Sequence, residues 1–213
     1  MHSDISSFID YTLLEPTTTL SDIEQLCKEA IEHNFAAVCL PPLFVKKAKE
    51  FTSGSLVKVN TVIGFPYGYS AIEAKLAEII LAMVDGADEL DMNINITALK
   101  NEDWQYLARE INTILPIVQG KGKVLKVVVE SSLLSADELI KCCDIYGAAA
   151  VNYFSLSTGT TPALPKTDTV KLVRKHLANP VGIKVSGDFN NREEIDSFIQ
   201  AGANRIGTHL LVK

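Results

Sequence analysis

The chain has no surplus of positive charge, no long apolar run, no paired-cysteine motif and no glycine-rich nucleotide fingerprint, and each absence narrows what it can be. Lys and Arg number 20 against 26 Asp and Glu, a formal net charge of −6, which leaves no basic footprint for nucleic acid. Nucleic acid is therefore not an expected partner. No stretch of about 18 apolar residues occurs that could span a bilayer, and Met1-His2-Ser3-Asp4-Ile5-Ser6 lacks the basic and apolar regions of a secretory leader. The expectation is a cytoplasmic protein with no membrane partner. The four cysteines, Cys27, Cys39, Cys142 and Cys143, show no C-x-x-C spacing and fall inside apolar runs, as reduced core thiols do. His2, His33 and His176 lie in the N-terminal tail or in helical stretches without metal-ligand spacing and read as surface residues. No metal and no other cofactor is expected.

What is present is an alternation. Short β-like runs at Phe8–Leu13, Ala36–Leu40, Val57–Ile63, Glu89–Ile94, Val124–Val129, Val151–Ser155, Val181–Val185 and Arg205–His209 are separated by helical patterns. Ile23, Leu26, Cys27, Ala30 and Ile31 recur at helical spacing, as do Ile72, Leu76, Ile79, Ile80 and Met83. Ser21-Asp22-Ile23-Glu24 and Ser135-Ala136-Asp137-Glu138 match the capping box that opens a helix. Repeated strand-helix units with short connections imply a parallel sheet, and eight of them closing on themselves make a (β/α)₈ TIM barrel. An open doubly wound sheet is the alternative, but no G-x-G-x-x-G follows the first run. The expected organisation is one barrel domain over residues 1–213, with the final helix truncated or absent because the chain ends soon after the eighth run. That edge is expected to need a partner chain.

Period-2 alternation then places the charges. Glu89, Asp91, Asn93 and Asn95 alternate with Leu90, Met92, Ile94 and Ile96, as expected when one face meets helices and the other faces the lumen. Gly182, Lys184 and Ser186 share the lumenal face of the seventh run; Ser155 and Ser157 share that of the sixth, and Lys126 and Glu130 that of the fifth. A lysine in a partly dry cavity can lose its proton and attack carbonyls, with a facing carboxylate moving protons. The alternative is a structural ion pair of Lys184 and Asp91 that plugs the lumen.

The motifs carry a resemblance through nearly the whole chain. Ile9-Asp10-Tyr11-Thr12-Leu13-Leu14, Thr61-Val62-Ile63-Gly64-Phe65-Pro66, Gly86-Ala87-Asp88-Glu89-Leu90-Asp91-Met92, Ser157-Thr158-Gly159, Gly182-Ile183-Lys184-Val185-Ser186-Gly187 and Ala201-Gly202-Ala203-Asn204-Arg205-Ile206-Gly207-Thr208 resemble the deoxyribose-phosphate aldolase family. The resemblance implies a metal-free class I aldolase on a (β/α)₈ barrel. It implies reversible cleavage of 2-deoxy-D-ribose 5-phosphate to D-glyceraldehyde 3-phosphate and acetaldehyde through a lysine imine, and a homodimer. In its terms Lys184 is the seventh-strand amine that tunes the nucleophile, and Asp91 relays protons through a bound water. Asp10, Thr12, Cys39 and Lys126 are expected to line the pocket; Lys126 and Glu130, inward on the fifth run by alternation, are expected either to form a supporting pair or simply to neutralise each other.

The sequence departs from the family at the nucleophile. Where the family writes Lys-Thr-Ser-Thr-Gly, this chain has Ser155-Leu156-Ser157-Thr158-Gly159, so the imine-forming lysine falls on Ser155; counting from Gly147 would place Asn152 there. Neither side chain forms an imine. The phosphate site implied by the resemblance comprises Ser157, Thr158, Gly159, Ser186, Gly187, Gly207, Thr208 and His209, the last loops of such barrels being the usual phosphate holders. There the chain places Asp188 and Leu210 where the family has glycine and a hydroxyl residue, and Asp188 is expected either to oppose a dianion or to cap the following helix. Three readings follow: an aldolase with impaired turnover, an aldolase of altered substrate range that uses Lys184 for the imine, and a non-catalytic sugar or aldehyde binder. With one cation fewer and Asp91 opposite, Lys184 is expected to stay protonated near neutral pH.

Overall fold

The computed structural model describes residues 5–159 and 165–210. Eight strands, β1 (Ile9–Thr12), β2 (Ala37–Leu40), β3 (Lys58–Ile63), β4 (Glu89–Asn93), β5 (Val124–Val128), β6 (Tyr153–Ser155), β7 (Gly182–Ser186) and β8 (Arg205–Thr208), form a closed parallel barrel in sequence order. Closure is made by β8 on β1, where Ile9 pairs with Ile206 and Tyr11 with Thr208. The expected (β/α)₈ barrel is therefore the fold, and every strand end lies within two residues of its expected place. Around it run α1 (Leu20–Glu32), α2 (Val45–Phe51), α3 (Ile72–Asp85), α4 (Ile96–Lys100), α5 (Trp104–Gln119), α6 (Ala136–Ala148), α7 (Thr167–His176) and α8 (Arg192–Ala201). Among the described residues no helix follows β8. His2 lies outside the described residues; His33 is half-buried and stacks on Phe35, and His176 is exposed.

The core lies between sheet and helices. Leu90, Met92, Leu125, Val127, Phe154, Ile183, Val185 and Ile206 alternate with the lumenal residues and are fully buried, packed with helix residues such as Ile79, Leu107, Ile114 and Val173. All four cysteines are free and buried in this layer or at its inner edge. Burial pushes their thiols up to about 12, because a thiolate loses more than a thiol on leaving water.

Two helix starts show how local chemistry sets the frame. At α6 the Ser135 hydroxyl accepts from the Glu138 amide while Glu138 accepts from the Ser135 amide, as expected. At α1 the reading needs correction: the box is Thr19 with Asp22, two residues before the Ser21-Glu24 match, because Leu20 and Ser21 already belong to the first turn.

The helix layer also holds a charge pair that sits on an otherwise apolar face. Lys75 shares the buried face of α3 with Ile72, Ile79 and Ala82, and its Nζ lies 2.7 Å from Glu110 Oε1 of α5 with both side chains wholly buried. The same ammonium donates to the Asn93 carbonyl at 2.7 Å, so it ties two helices to the end of β4. Burial dominates both partners, drawing the Lys75 amine down and the Glu110 carboxyl up despite their mutual attraction. We expect Lys75→Met alone to cost about 3–5 kcal/mol in urea unfolding, and Lys75→Met with Glu110→Leu to recover most of it. Equal loss in single and double variants would show that packing, not charge, carries the effect.

Candidate active site

Six charged side chains meet in the lumen. Lys184 Nζ of β7 lies 2.6 Å from Asp91 Oδ2 of β4 and 2.8 Å from Asp10 Oδ2 of β1. Lys126 Nζ of β5 lies 2.6 Å from Glu89 Oε2 and 3.0 Å from Asp91 Oδ1. Arg205 of β8 spans the other side, with Nε 2.8 Å from Asp10 Oδ1 and Nη2 2.6 Å from Glu89 Oε2, and its guanidinium lies over the Tyr153 ring. Three cations thus face three carboxylates, all buried.

The arrangement depends on strand alternation and on one missing side chain. A Cβ on Gly207 would stand 2.5 Å from Ser186 Oγ and 3.1 Å from Lys184 Cε, so only glycine lets the β7 side chains cross in front of β8. Burial alone would raise the Asp10 and Asp91 carboxyls, but the neighbouring ammonium and guanidinium groups outweigh it and hold both below the ordinary 3.8. Conversely, burial would lower Lys184 and Lys126, but the carboxylates beside them hold both amines above the ordinary 10.5. Lys184 is thus an ammonium at neutral pH.

Above this cluster, at the C-terminal ends of the strands, opens a cavity of about 500 Å³. It is lined by Asp91 and Lys184, by Thr12 and Cys39, and by all eight residues assigned from sequence to a phosphate site: Ser157, Thr158, Gly159, Ser186, Gly187, Gly207, Thr208 and His209. Leu14, Glu15, Val62, Phe65, Asn93, Val128 and Asp188 complete much of the wall. Cys39 Sγ is 4.0 Å from Asp91 Oδ2, and its raised thiol makes it a neutral wall atom.

Four expectations are corrected. Asp10 and Lys126 do not line the cavity; they lie below its floor, in the ion cluster. Lys126 does not pair with Glu130, because its amine turns to Glu89 and Asp91, while the Glu130 carboxyl turns up into the loop after β6. Asp188 does not cap α8, whose N-cap is Asn191 accepting from Glu194; it meets His209 Nδ1 at 3.2 Å on the exposed rim. Ser155 does not reach the cavity. It is buried beside its cross-strand partner Lys184, and its Oγ has no hydrogen-bond partner among the described residues. Asn152 is held at the other end of the strand, accepting from the Leu125 amide, so Ser155 is the β6 residue adjacent to the amine.

Glu130 emerges as the organiser of the rim. Its Oε2 accepts from the Thr158 amide at 3.1 Å, the Thr158 hydroxyl at 2.8 Å and the Ser157 hydroxyl at 3.5 Å, while Oε1 accepts from the Ser132 hydroxyl at 2.6 Å. The Ser157 hydroxyl in turn accepts from the Gly159 amide. Arg205 and Glu89 were equally legible as lumenal partners, since Arg205 shares the face of Gly207 and Glu89 that of Asp91. Among the described residues no group of three or more His, Cys, Asp or Glu is placed to hold a metal ion, and no helix is long and apolar enough to cross a membrane.

A parallel eight-stranded barrel with an ammonium and a carboxylate under an open mouth defines an α/β-barrel protein with a polar pocket at the C-terminal ends of its strands. Residues 3–127 match the model of the DeoC/LacD family of aldolases. The chain is 42% identical over 207 residues to the deoxyribose-phosphate aldolase of Thermococcus gammatolerans, covering 96% of this chain and 92% of that one. It is 41% identical over 211 residues to that of Caldanaerobacter subterraneus subsp. tengcongensis, covering 99% and 91%. Among solved structures it is similar to QR15, an aldolase, with a TM-score of 0.91, 33% identity and coverage of 97% and 91%. It is also similar to the tetrameric deoxyribose phosphate aldolase of Aeropyrum pernix, with a TM-score of 0.88, 30% identity and coverage of 96% and 86%. The chain belongs to the DeoC/LacD aldolase family.

Three expectations follow. Lys184→Met leaves Asp10 and Asp91 short of a cation and should cost about 3–5 kcal/mol. In the parent protein, stability from the lowered carboxyls is present above 3.8 and lost as pH falls through their folded values; that from the raised amines is present below 10.5 and lost as pH rises through theirs. Melting temperature should therefore be flat between about pH 5 and 9 as far as this cluster governs it, and a steep change within that window would contradict the charge assignment. For Glu130→Ala, amide exchange at Thr158 and Gly159 should accelerate by at least about tenfold, with partial recovery in Glu130→Gln, which keeps one acceptor oxygen; unchanged protection would remove Glu130 from that role.

Proposed function

We propose that this chain receives 2-deoxy-D-ribose 5-phosphate, or the aldehydes derived from it, in the lumenal cavity, and cleaves it only feebly because the imine-forming amine is absent. One observation carries the reading: Ser155 stands on β6 beside Lys184, and Lys184 is held as an ammonium by two carboxylates at 2.6 and 2.8 Å. An imine forms when a neutral amine adds to a carbonyl and water leaves. A serine hydroxyl stops at a hemiacetal and offers no electron sink for carbon–carbon cleavage, and a paired ammonium has no lone pair to give.

In this reading Lys184 and Asp91 keep the proton-handling half of the machinery. The ammonium donates a hydrogen bond to a carbonyl or hydroxyl oxygen, and the carboxylate orients it. Ser186, Gly187, Gly207 and Thr208, with Ser157, Thr158 and Gly159 across the mouth, receive the phosphate end. Asp188 weakens that end for a dianion, and His209 beside it offsets the charge when protonated. The reading in which Lys184 itself forms the imine is disfavoured by the same pair of carboxylates.

The assembly we propose is a cytoplasmic homodimer. Four buried unpaired cysteines suit a reducing compartment, and α3 presents Leu81 and Val84 to solvent, apolar surface that a second copy of the chain would cover. Sedimentation tests the dimer.

Ser155→Lys is the decisive variant. It should raise deoxyribose-phosphate cleavage by at least about 10²-fold and yield a borohydride-trapped adduct on residue 155. Trapping of the parent protein on Lys184, or brisk cleavage by the parent, would overturn the proposal.

A further inference from the structure

We infer that a second cavity, adjoining the first, is a subsite for the apolar tail of a carbonyl ligand whose polar end lies in the main pocket. The inference rests on the carbonyl-binding reading of that pocket. The second cavity has a volume of about 410 Å³ and lies at the mouth of β1, β2 and β3. Leu14, Glu15, Pro16, Val62 and Phe65 line both cavities, so the two adjoin across shared walls.

The chemistry of its own walls selects the ligand. Beyond the shared residues it is built from Pro41, Pro42, Leu43 and Phe44, which follow β2. Leu43 is 83% exposed at the rim, apolar surface that a ligand chain would cover. Among the described residues no Lys, Arg or His lines this cavity, and the charged ones that do, Glu15 and Glu78, are both acids. Glu78 already accepts from the Gly64 amide at 2.7 Å. An anion is therefore disfavoured here, and an uncharged chain is not. Thr18 completes the far wall. The opposite end of the main pocket carries Ser186, Thr208 and His209, so a ligand would lie with its polar end toward β7 and β8 and its aliphatic end toward β1 to β3.

The test is calorimetric titration of the protein with methyl ketones from acetone to 2-heptanone, which carry the carbonyl but no cleavable aldol. Burial of each added methylene should tighten binding roughly threefold to fourfold, or about 10²-fold across the series. Thr18→Trp, which fills the second cavity, and Leu43→Asp, which charges its rim, should each abolish that gain while leaving acetone binding unchanged. Two variants from different walls guard against a folding defect in either. A flat series in the parent protein overturns the proposal and leaves the groove to a protein surface, and so does a gain that survives both substitutions. Binding of 2-deoxyribose 5-phosphate, measured in parallel, judges the main-pocket reading separately.

Discussion

The barrel depends on the balance of charge in its lumen. Burying six ionised groups is costly, and the cost is offset only because each cation meets two carboxylates at hydrogen-bond distance and each carboxylate meets two cations. The contributing strands are β1, β4, β5, β7 and β8, which are spread around the ring. The cluster therefore joins opposite walls that backbone hydrogen bonds join only edge to edge. It also sets the floor of the cavity, since Asp91 and Lys184 are its upper members and Asp10 and Lys126 its lower ones. Stability and site geometry are consequently one property in this chain.

The Lys75–Glu110 pair shows what the lumen would be without that reciprocity. One amine and one carboxyl at 2.7 Å do not offset their own burial, and each is pushed toward its neutral form. In the lumen the same kinds of group are pushed the other way, toward the charged forms. The difference is the number of partners, not the degree of burial, because both sites are dry. A network polarises its members cooperatively and leaves few unpaired lone pairs. The outer pair is better understood as a tether, through the Asn93 carbonyl, between the helix layer and the strand that carries Asp91.

Alternation and helical period made the eight strands, most helices and the inward direction of Asp91, Lys184, Lys126 and Ser155 legible before any coordinate. Those signals are local and repeat along the chain. What failed was choice of partner. Lys126 and Glu130 share a face four residues apart, which suggested a pair, yet a strand rises over 3 Å per residue and carries them to different levels of the barrel. Lys126 therefore meets Glu89 and Asp91 from the neighbouring strand, while Glu130 serves the loop above. The cap role that the sequence leaves open for Asp188 falls to Asn191 for a similar reason: it follows closely enough to accept from the Glu194 amide, and nothing local ranks the two. Lys75 carries no signal in the sequence, because a lysine on a helix is ordinary until a carboxylate 35 residues away is known to lie against it.

Ser155 changes more than one reactive atom. An amine in its place would be a fourth cation beside Lys184, facing three carboxylates that are already shared among three cations. The newcomer would lack a full partner, and like charge with burial would both favour its neutral form. A neutral amine beside a firmly charged one is what imine chemistry needs, so the reactivity would come from the imbalance as much as from the lysine itself. With serine the lumen is balanced at three against three, and no member has reason to surrender a proton. The hydroxyl left without a partner at Ser155 Oγ marks the position where that imbalance would arise, within an otherwise complete set of charges.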